Sequence, residues 1–293
     1  MKTYLECYPC FLNQSIAACK MLHLSENECK TILNKVALLI PEIDTKATPP
    51  EIGSLIHKII REETSIQDPY KEIKRHSNQL ALKIYSHLKN RVIKSDDPLL
   101  TAVKLAIAGN IIDYGAITNL DIEKEIAKIL QNEDELITKE KQQYFSYQPL
   151  KKSIESAKTL LYLGDNAGEI IFDKILLEEI KTQNPQIKIH FAVRGGPIIN
   201  DALEEDAITA GIHNIAEIIN NGATIPGTII DKCSEPFKKI WQNSNLIISK
   251  GQGNFESLHP SKANIYYMLI VKCQVLARDL GCSLRDIILY HEK

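Results

Sequence analysis

The chain is poor in the features that announce a common function. Its formal net charge is only −2 over 293 residues. That balance gives no reason to expect a nucleic-acid or membrane surface. No apolar run reaches the roughly 20 residues that span a bilayer. The opening MKTYLECYPCFLNQS lacks a signal-peptide core. A cytoplasmic protein with no membrane or nucleic-acid partner is therefore expected, its oligomeric state open. The seven cysteines are odd in number and do not form a compact secreted framework, so reduced thiols are expected. No G-x-x-x-x-G-K-[ST] phosphate loop, G-x-S-x-G elbow or H-E-x-x-H pair occurs. Those absences argue against a phosphate-loop nucleotide enzyme, a serine hydrolase and a histidine zinc enzyme.

What is present is an ordinary globular composition, 44% hydrophobic and 25% charged, enough for one large or two moderate domains. Residues 1–150 read as a helical region. Ser25 with Glu28 fits a capping box before Cys29–Ile40, and Thr48-Pro49-Pro50-Glu51 fits another before Ile52–Ile60. Asp68-Pro69 and Asp97-Pro98 each read as a cap with a first-turn proline. The second of these opens Leu99–Ile112, and Asp121–Leu130 reads as a further short helix. From residue 151 onward the pattern alternates. Strands are predicted at Thr159–Leu163, Ile187–Val193, Asn214–Ile219, Asn245–Ser249 and Ile265–Ile270. Helices are predicted at Glu169–Thr182, Ile199–Ala210 and Thr228–Asn243. This order implies an α/β fold, a three-layer α/β/α largely parallel sheet, with the helical region as a cap on it.

The most informative stretch is Leu160–Asp173, LLYLGDNAGEIIFD. An apolar strand ends in a turn that sets a carboxylate beside an amide, and a helix follows. Alone, it reads as an ordinary strand-to-helix turn. Two further loops repeat the design: Arg194-Gly195-Gly196-Pro197-Ile198-Ile199-Asn200-Asp201 and Lys250-Gly251-Gln252-Gly253-Asn254-Phe255-Glu256. In a parallel sheet such strand ends share one edge, where ligands bind. Convergence would offer Asp165, Asn166 and Asp201 as hard oxygen donors for a divalent cation. Arg194 and Lys250 would supply positive charge for an anion, beside Gly251 and Gly253. Each has a structural alternative: Asp201 as a helix N-cap, Glu169 as a first-turn complement to the helix dipole, Arg194 and Lys250 as surface charges. Upstream, Asn110 and Asp113 share a helix face in AGNIIDYG, which reads equally as a helix end or as a site face. Cys7-x-x-Cys10 has no matching second pair and no preceding strand, so it reads as structural or unassigned thiols.

GDNAGE, RGGPIIND, KGQGNFE, AGNIIDYG, DPYKEIKRHSN and the N-terminal CYPC together resemble the metal-dependent damage-control phosphatases, formerly domain-of-unknown-function family 89. The likeness runs over nearly the whole chain, and the CYPC element resembles the prokaryotic branch. It implies a divalent cation (Mg²⁺, Mn²⁺, Co²⁺ or Ni²⁺) held by Asp165, Asn166 and Asp201. It further implies Asn110 and Asp113 lining the same cavity, Lys250 near the substrate phosphate, and Cys7 and Cys10 close by. The implied substrate is a small phosphorylated metabolite, damaged or surplus, of the phosphopantetheine or sugar-phosphate type. Metal-activated water would attack phosphorus, with Asp201 orienting it and Asp113 or Glu169 taking the proton. Two other readings fit an open α/β sheet. One is an S-adenosylmethionine-dependent methyltransferase, disfavoured by the missing glycine-rich first loop. The other is a non-catalytic metabolite-binding protein.

Overall fold

The computed structural model describes residues 1–111 and 144–292. The helical region opens with α1 (Cys7–Met21), α2 (Glu26–Leu39), α3 (Pro49–Thr64), α4 (Lys71–Ile93) and α5 (Pro98–Ala108). The starts follow the local chemistry. Ser25 N donates to Glu28 Oε2 at 2.8 Å, and Thr48 N donates to Glu51 Oε2 at 2.7 Å, each satisfying an orphan donor. Leu100 N donates to Asp97 Oδ1 at 3.0 Å ahead of α5. Asp68 behaves differently from the expectation. Helix α4 begins at Lys71, because Asp68 Oδ1 accepts from Tyr70 N at 3.1 Å while its other oxygen lies 2.8 Å from Lys74 Nζ. The predicted helix Asp121–Leu130 lies outside the described residues.

After α6 (Tyr147–Ser156) the chain alternates: β1 (Thr159–Leu163), α7 (Glu169–Gln183), β2 (Lys188–Val193), α8 (Glu204–Ala210), β3 (Glu217–Asn220), α9 (Glu235–Asn243), β4 (Leu246–Lys250), α10 (Gln252–Leu258), β5 (Ile265–Ile270), α11 (Gln274–Leu280) and β6 (Ile287–Glu292). The six strands form one sheet in the order β3-β2-β1-β4-β5-β6. All pairings are parallel except β5–β6. Strand β1 lies inside the sheet between β2 and β4, with Leu160 facing Ile189 on one side and Leu246 on the other. Its run Thr-Leu-Leu-Tyr-Leu is apolar because both faces are covered. Leu160 and Tyr162 join a core with α4, α5 and α7, whereas Leu161 and Leu163 pack with α9, α10 and α11. Helices α1, α2 and α3 form a third core of their own around Phe11, Ile32 and Ile56.

Four elements named here differ from the sequence expectation. Strand β6 was not anticipated, and β3 starts at Glu217 because Ile212–Asn214 forms a 3₁₀ turn. Helix α9 starts only at Glu235, capped by Ser234. Helix α8 starts at Glu204 rather than Ile199. Residues 200–202 instead bond sideways to the loop after β1, and Leu203 N donates to the Asp206 carboxylate at 2.9 Å. Asp201 is therefore not an N-cap. No helix of the described residues is long and apolar enough to cross a membrane.

Candidate active site

The strand order reverses between the neighbouring β1 and β4, and the carboxyl ends of strands at such a switch point are where open α/β sheets bind ligands. The loop after β1 and the loop after β2 are laced together there. Ala202 N donates to Asp165 O at 2.8 Å, Ala167 N donates to Asn200 O at 2.9 Å, and Asn166 and Asp201 form an isolated antiparallel bridge. These backbone bonds bring Asp165, Asn166 and Asp201 together on the wall of one cavity of about 400 Å³. Helix α4 supports the same turn. Asn78 Oδ1 accepts from Gly168 N at 2.7 Å, and its amide donates to Asp206 Oδ1 at 2.7 Å. Gly251, at φ +80°, leaves the space that Asp165 fills, since a Cβ there would meet Asp165 Oδ2 at 2.0 Å.

The donors are oriented by buried partners. Arg194 Nε donates to Asp201 Oδ2 at 2.6 Å, Nη1 donates to Thr228 Oγ1 at 3.2 Å, and Nη2 lies 3.7 Å from Asp165 Oδ1. Thr228 in turn donates to Asn254 Oδ1 at 2.8 Å, and Asn254 donates to Lys250 O at 2.8 Å. The Asn166 amide nitrogen donates to Asp165 Oδ2 at 2.9 Å and to Glu169 Oε2 at 3.1 Å. That fixes the amide and leaves its Oδ1 as the acceptor.

Behind this wall lies a second charged layer. Lys250, fully buried, donates to Glu169 Oε1 at 2.7 Å, Asp173 Oδ1 at 2.5 Å and Ala106 O at 2.8 Å. An ammonium has three donors, so all are used. Asn110 donates to Glu169 Oε2 at 3.0 Å, and Tyr162 OH donates to Asp173 Oδ1 at 2.7 Å. Lys250, Arg194, Gly251, Asn110 and Glu169 thus stand behind the cavity rather than on its surface, while Gly253 lines it. Asp113 lies outside the described residues.

Four buried carboxylates, Asp165, Glu169, Asp173 and Asp201, meet two buried cations, Arg194 and Lys250. Burial pushes the Asp165 carboxyl well above its ordinary range, and the charges of Glu169 and Asp201 add to the rise against Arg194 and Lys272. Burial likewise raises Asp201 against the pull of Arg194 and Asp173 to about 6 against Lys250. Burial would raise Glu169 too, but the Lys250 charge and hydrogen bond, with that of Asn110, hold it below the usual glutamate range. The site is short of positive charge at the cavity wall. A hard divalent cation suits that deficit and a set of two carboxylates and an amide oxygen. Among the described residues no three His, Cys, Asp or Glu side chains stand ready as a cage, so the fit rests on Asn166 as the third donor.

Several lining residues were not singled out in the sequence. Lys272 is the one cationic side chain on the cavity wall among the described residues, and its charge acts on both Asp165 and Glu169. A lone Lys beyond β5 gives no motif; only its strand's ending on the same edge points to it. Glu256 lies within the quoted KGQGNFE. It is buried in the wall, which pushes its carboxyl up to about 7 despite a 2.7 Å hydrogen bond donated by Gln252. Cys7 and Cys10 line the cavity from the first turn of α1, joined by Cys273. Spacing alone left the C-x-x-C element unassigned; the cavity places it where the resemblance implied, close to the site.

Fold and site together define a doubly wound α/β protein with a deep acidic cavity at its switch point, roofed by N-terminal helices. The chain belongs to the damage-control phosphatase ARMT1-like domain family, whose model matches residues 3–288. It is 36% identical to the uncharacterized protein MJ0202 of Methanocaldococcus jannaschii over 292 residues, covering 97% of this chain and 93% of that one. It is 34% identical to the damage-control phosphatase PH1575 of Pyrococcus horikoshii, covering 96% of this chain and 94% of the relative. A damage-control phosphatase of Archaeoglobus fulgidus is 32% identical, with 98% of both chains covered. The crystal structure of the Pyrococcus horikoshii protein, described as a DUF89 family protein, superimposes with a TM-score of 0.90 at 30% identity over 100% of both chains.

Proposed function

We propose that this protein is a metal-dependent phosphatase acting on a small phosphorylated metabolite, damaged or surplus, of the sugar-phosphate or phosphopantetheine type. The observation that carries the reading is the convergence of Asp165, Asn166 and Asp201 on one cavity wall that is short of positive charge. The relatives named damage-control phosphatases support it. Asp165, Asn166 Oδ1 and Asp201 would hold Mg²⁺, Mn²⁺, Co²⁺ or Ni²⁺. When bound, the cation supplies charge neutralisation and a lowered water pKa.

The chain's own groups do the rest. Lys272 faces the phosphoryl oxygens, the role expected of Lys250 from the resemblance. Arg194 keeps the Asp201 and Asp165 carboxylates aimed into the cavity. Lys250, through Glu169, props Asn166 from behind. Gln252 and Glu256 present polar groups to the rest of the substrate, with Phe11, Pro50 and Val275 supplying apolar wall. The cavity would hold the phosphoester near the acidic wall, the positioning on which phosphoryl transfer depends.

The test is phosphate release from para-nitrophenyl phosphate and a panel of phosphometabolites, with each of the four metals and with chelator. Release with metal, abolished by chelator, is expected. No release with any substrate and metal would sink the reading. Methyl transfer from S-adenosylmethionine would replace it.

A further inference from the structure

The cavity wall carries three thiols that the proposed chemistry does not use. Cys7 and Cys10 line it from the first turn of α1, and Cys273 joins them from the end of the loop after β5. Cys10 is exposed and Cys7 half-buried, so a solute reaches both. Residues three apart on a helix have Cβ atoms about 5–6 Å apart, and a disulfide needs about 3.5–4.5 Å. A shift of about 1–2 Å in one helical turn closes that gap. The turn carries no capping side-chain bond at Glu6, whose carboxylate pairs instead with the exposed Arg278 at 2.8 Å, so the shift is opposed by one surface ion pair and no cap. The Cys273 sulfur is held differently. It accepts from Leu276 N and from Gln252 Nε2, both at 3.4 Å, bonds that a link to either other thiol would have to break.

We infer that Cys7 and Cys10 form a thiol–disulfide exchange site in the cavity wall, that its co-substrate is a low-molecular-weight disulfide, and that closing the pair reshapes the cavity and slows substrate turnover there. The inference rests on the phosphatase reading only for its effect on turnover. In the first step one Cys thiol loses its proton and attacks a sulfur of the small disulfide, expelling one small thiolate. In the second, the other Cys, deprotonated, attacks the mixed disulfide and expels the second. The protein loses two protons and two electrons, and the small disulfide takes up both to become two thiols. Burial raises both Cys7 and Cys10 above the usual thiol range. The exchange is therefore slow at neutrality and faster in mild alkali, where thiolate accumulates.

The full chain is incubated with oxidised glutathione at about pH 8.5, quenched with iodoacetamide, and examined by intact mass and peptide mapping. A mass lower by two hydrogens is expected, mapped to a Cys7–Cys10 link, reversed by dithiothreitol and accompanied by a several-fold fall in phosphate release. Cys273→Ser retains the link. Cys10→Ser loses it, and the oxidant then no longer changes the rate. Alkylation of both Cys7 and Cys10 after oxidation, or a link made to Cys273, would overturn the exchange site. A formed link with unchanged hydrolysis would overturn its control of turnover. If the reduced protein hydrolyses no phosphoester, the mass measurement still decides the exchange site, and the failure belongs to the phosphatase reading.

Discussion

Arg194 Nε donates to Asp201 Oδ2 at 2.6 Å in a setting where both side chains are almost wholly buried. The guanidinium is the partner that lets two carboxylates, Asp201 and Asp165, point into one cavity. Its Nη1 donates to Thr228 and its Nη2 lies 3.7 Å from Asp165 Oδ1, so the fork is fixed by geometry as well as charge. Arg194→Ala removes one side of this pair and is expected to cost about 3–5 kcal/mol, the usual result of leaving a buried charge unpaired. Arg194→Lys keeps the charge and loses the fork, and is expected to fold with reduced hydrolysis. Thermal melting alongside phosphate release separates the two effects.

Lys250 and Lys272 should respond oppositely to the same substitution. Lys250→Met leaves Glu169 and Asp173 without their cation and is expected to destabilise the fold by about 3–5 kcal/mol. Lys272→Met removes an exposed charge at the cavity and should melt like the parent while phosphate release falls and KM rises. Chemical denaturation and steady-state kinetics on both variants test the contrast. A stable, inactive Lys250 variant beside an unaffected Lys272 variant would restore Lys250 as the phosphate ligand.

Metal binding should register as stability. A ligand at 100 times its Kd that binds only the folded state adds about 2.7 kcal/mol. Melting in Mg²⁺ or Mn²⁺ is expected to exceed melting in chelator by several degrees. Asp201→Asn should fold, since helix α8 takes no cap from it, yet lose most of that increment and most hydrolysis. An undiminished metal increment in this variant would remove Asp201 from the ligand set.

Glu256 gives the protein a pH dependence with a defined sign. Its folded carboxyl titrates near 7, raised by burial, while unfolded glutamate titrates near 4.3. Its contribution to stability is present below the unfolded value and is lost as pH rises from about 4.3 to about 7, because the unfolded chain releases that proton first. Glu256→Gln removes this loss. Melting temperatures of the two proteins from acid to neutral pH should therefore diverge in favour of the variant as pH rises.

Gly251→Ala is expected to damage both fold and site. The backbone at φ +80° is strained for any L side chain, and the new Cβ would meet Asp165 Oδ2 at 2.0 Å. Lower melting together with loss of metal stabilisation is the expected pair of observations.

The sequence made the acidic wall legible for a physical reason. Parallel strands end on one edge, so three polar loops after three strands had to converge, and Asp165, Asn166 and Asp201 do. The capped helices α2, α3 and α5 were legible because caps are local chemistry. What stayed hidden depends on contacts distant in sequence. Nothing local shows that Asp173, one turn beyond Glu169, meets Lys250 across 77 residues. Nothing local shows that Ala202 binds the Asp165 carbonyl in place of starting a helix. Strand β6 pairs antiparallel at the sheet's edge, outside the alternating pattern that located the others. Cys7 and Cys10 could not be placed from spacing, which says nothing of what an N-terminal helix is folded against.

The cavity is assembled from two separate stretches of the chain. Its acidic wall comes from the loops after β1 and β2, held by backbone bonds within the sheet domain. Much of the facing surface comes from Cys7, Cys10, Phe11, Gln14, Pro49, Pro50 and Gly53 on α1 and α3, which pack in a core of their own. Substitutions in the first 60 or so residues therefore reach the shape offered to a substrate without touching the groups proposed to act on it. The two halves of the wall are thus open to change separately, one by the roof's helices and the other by the sheet's loops.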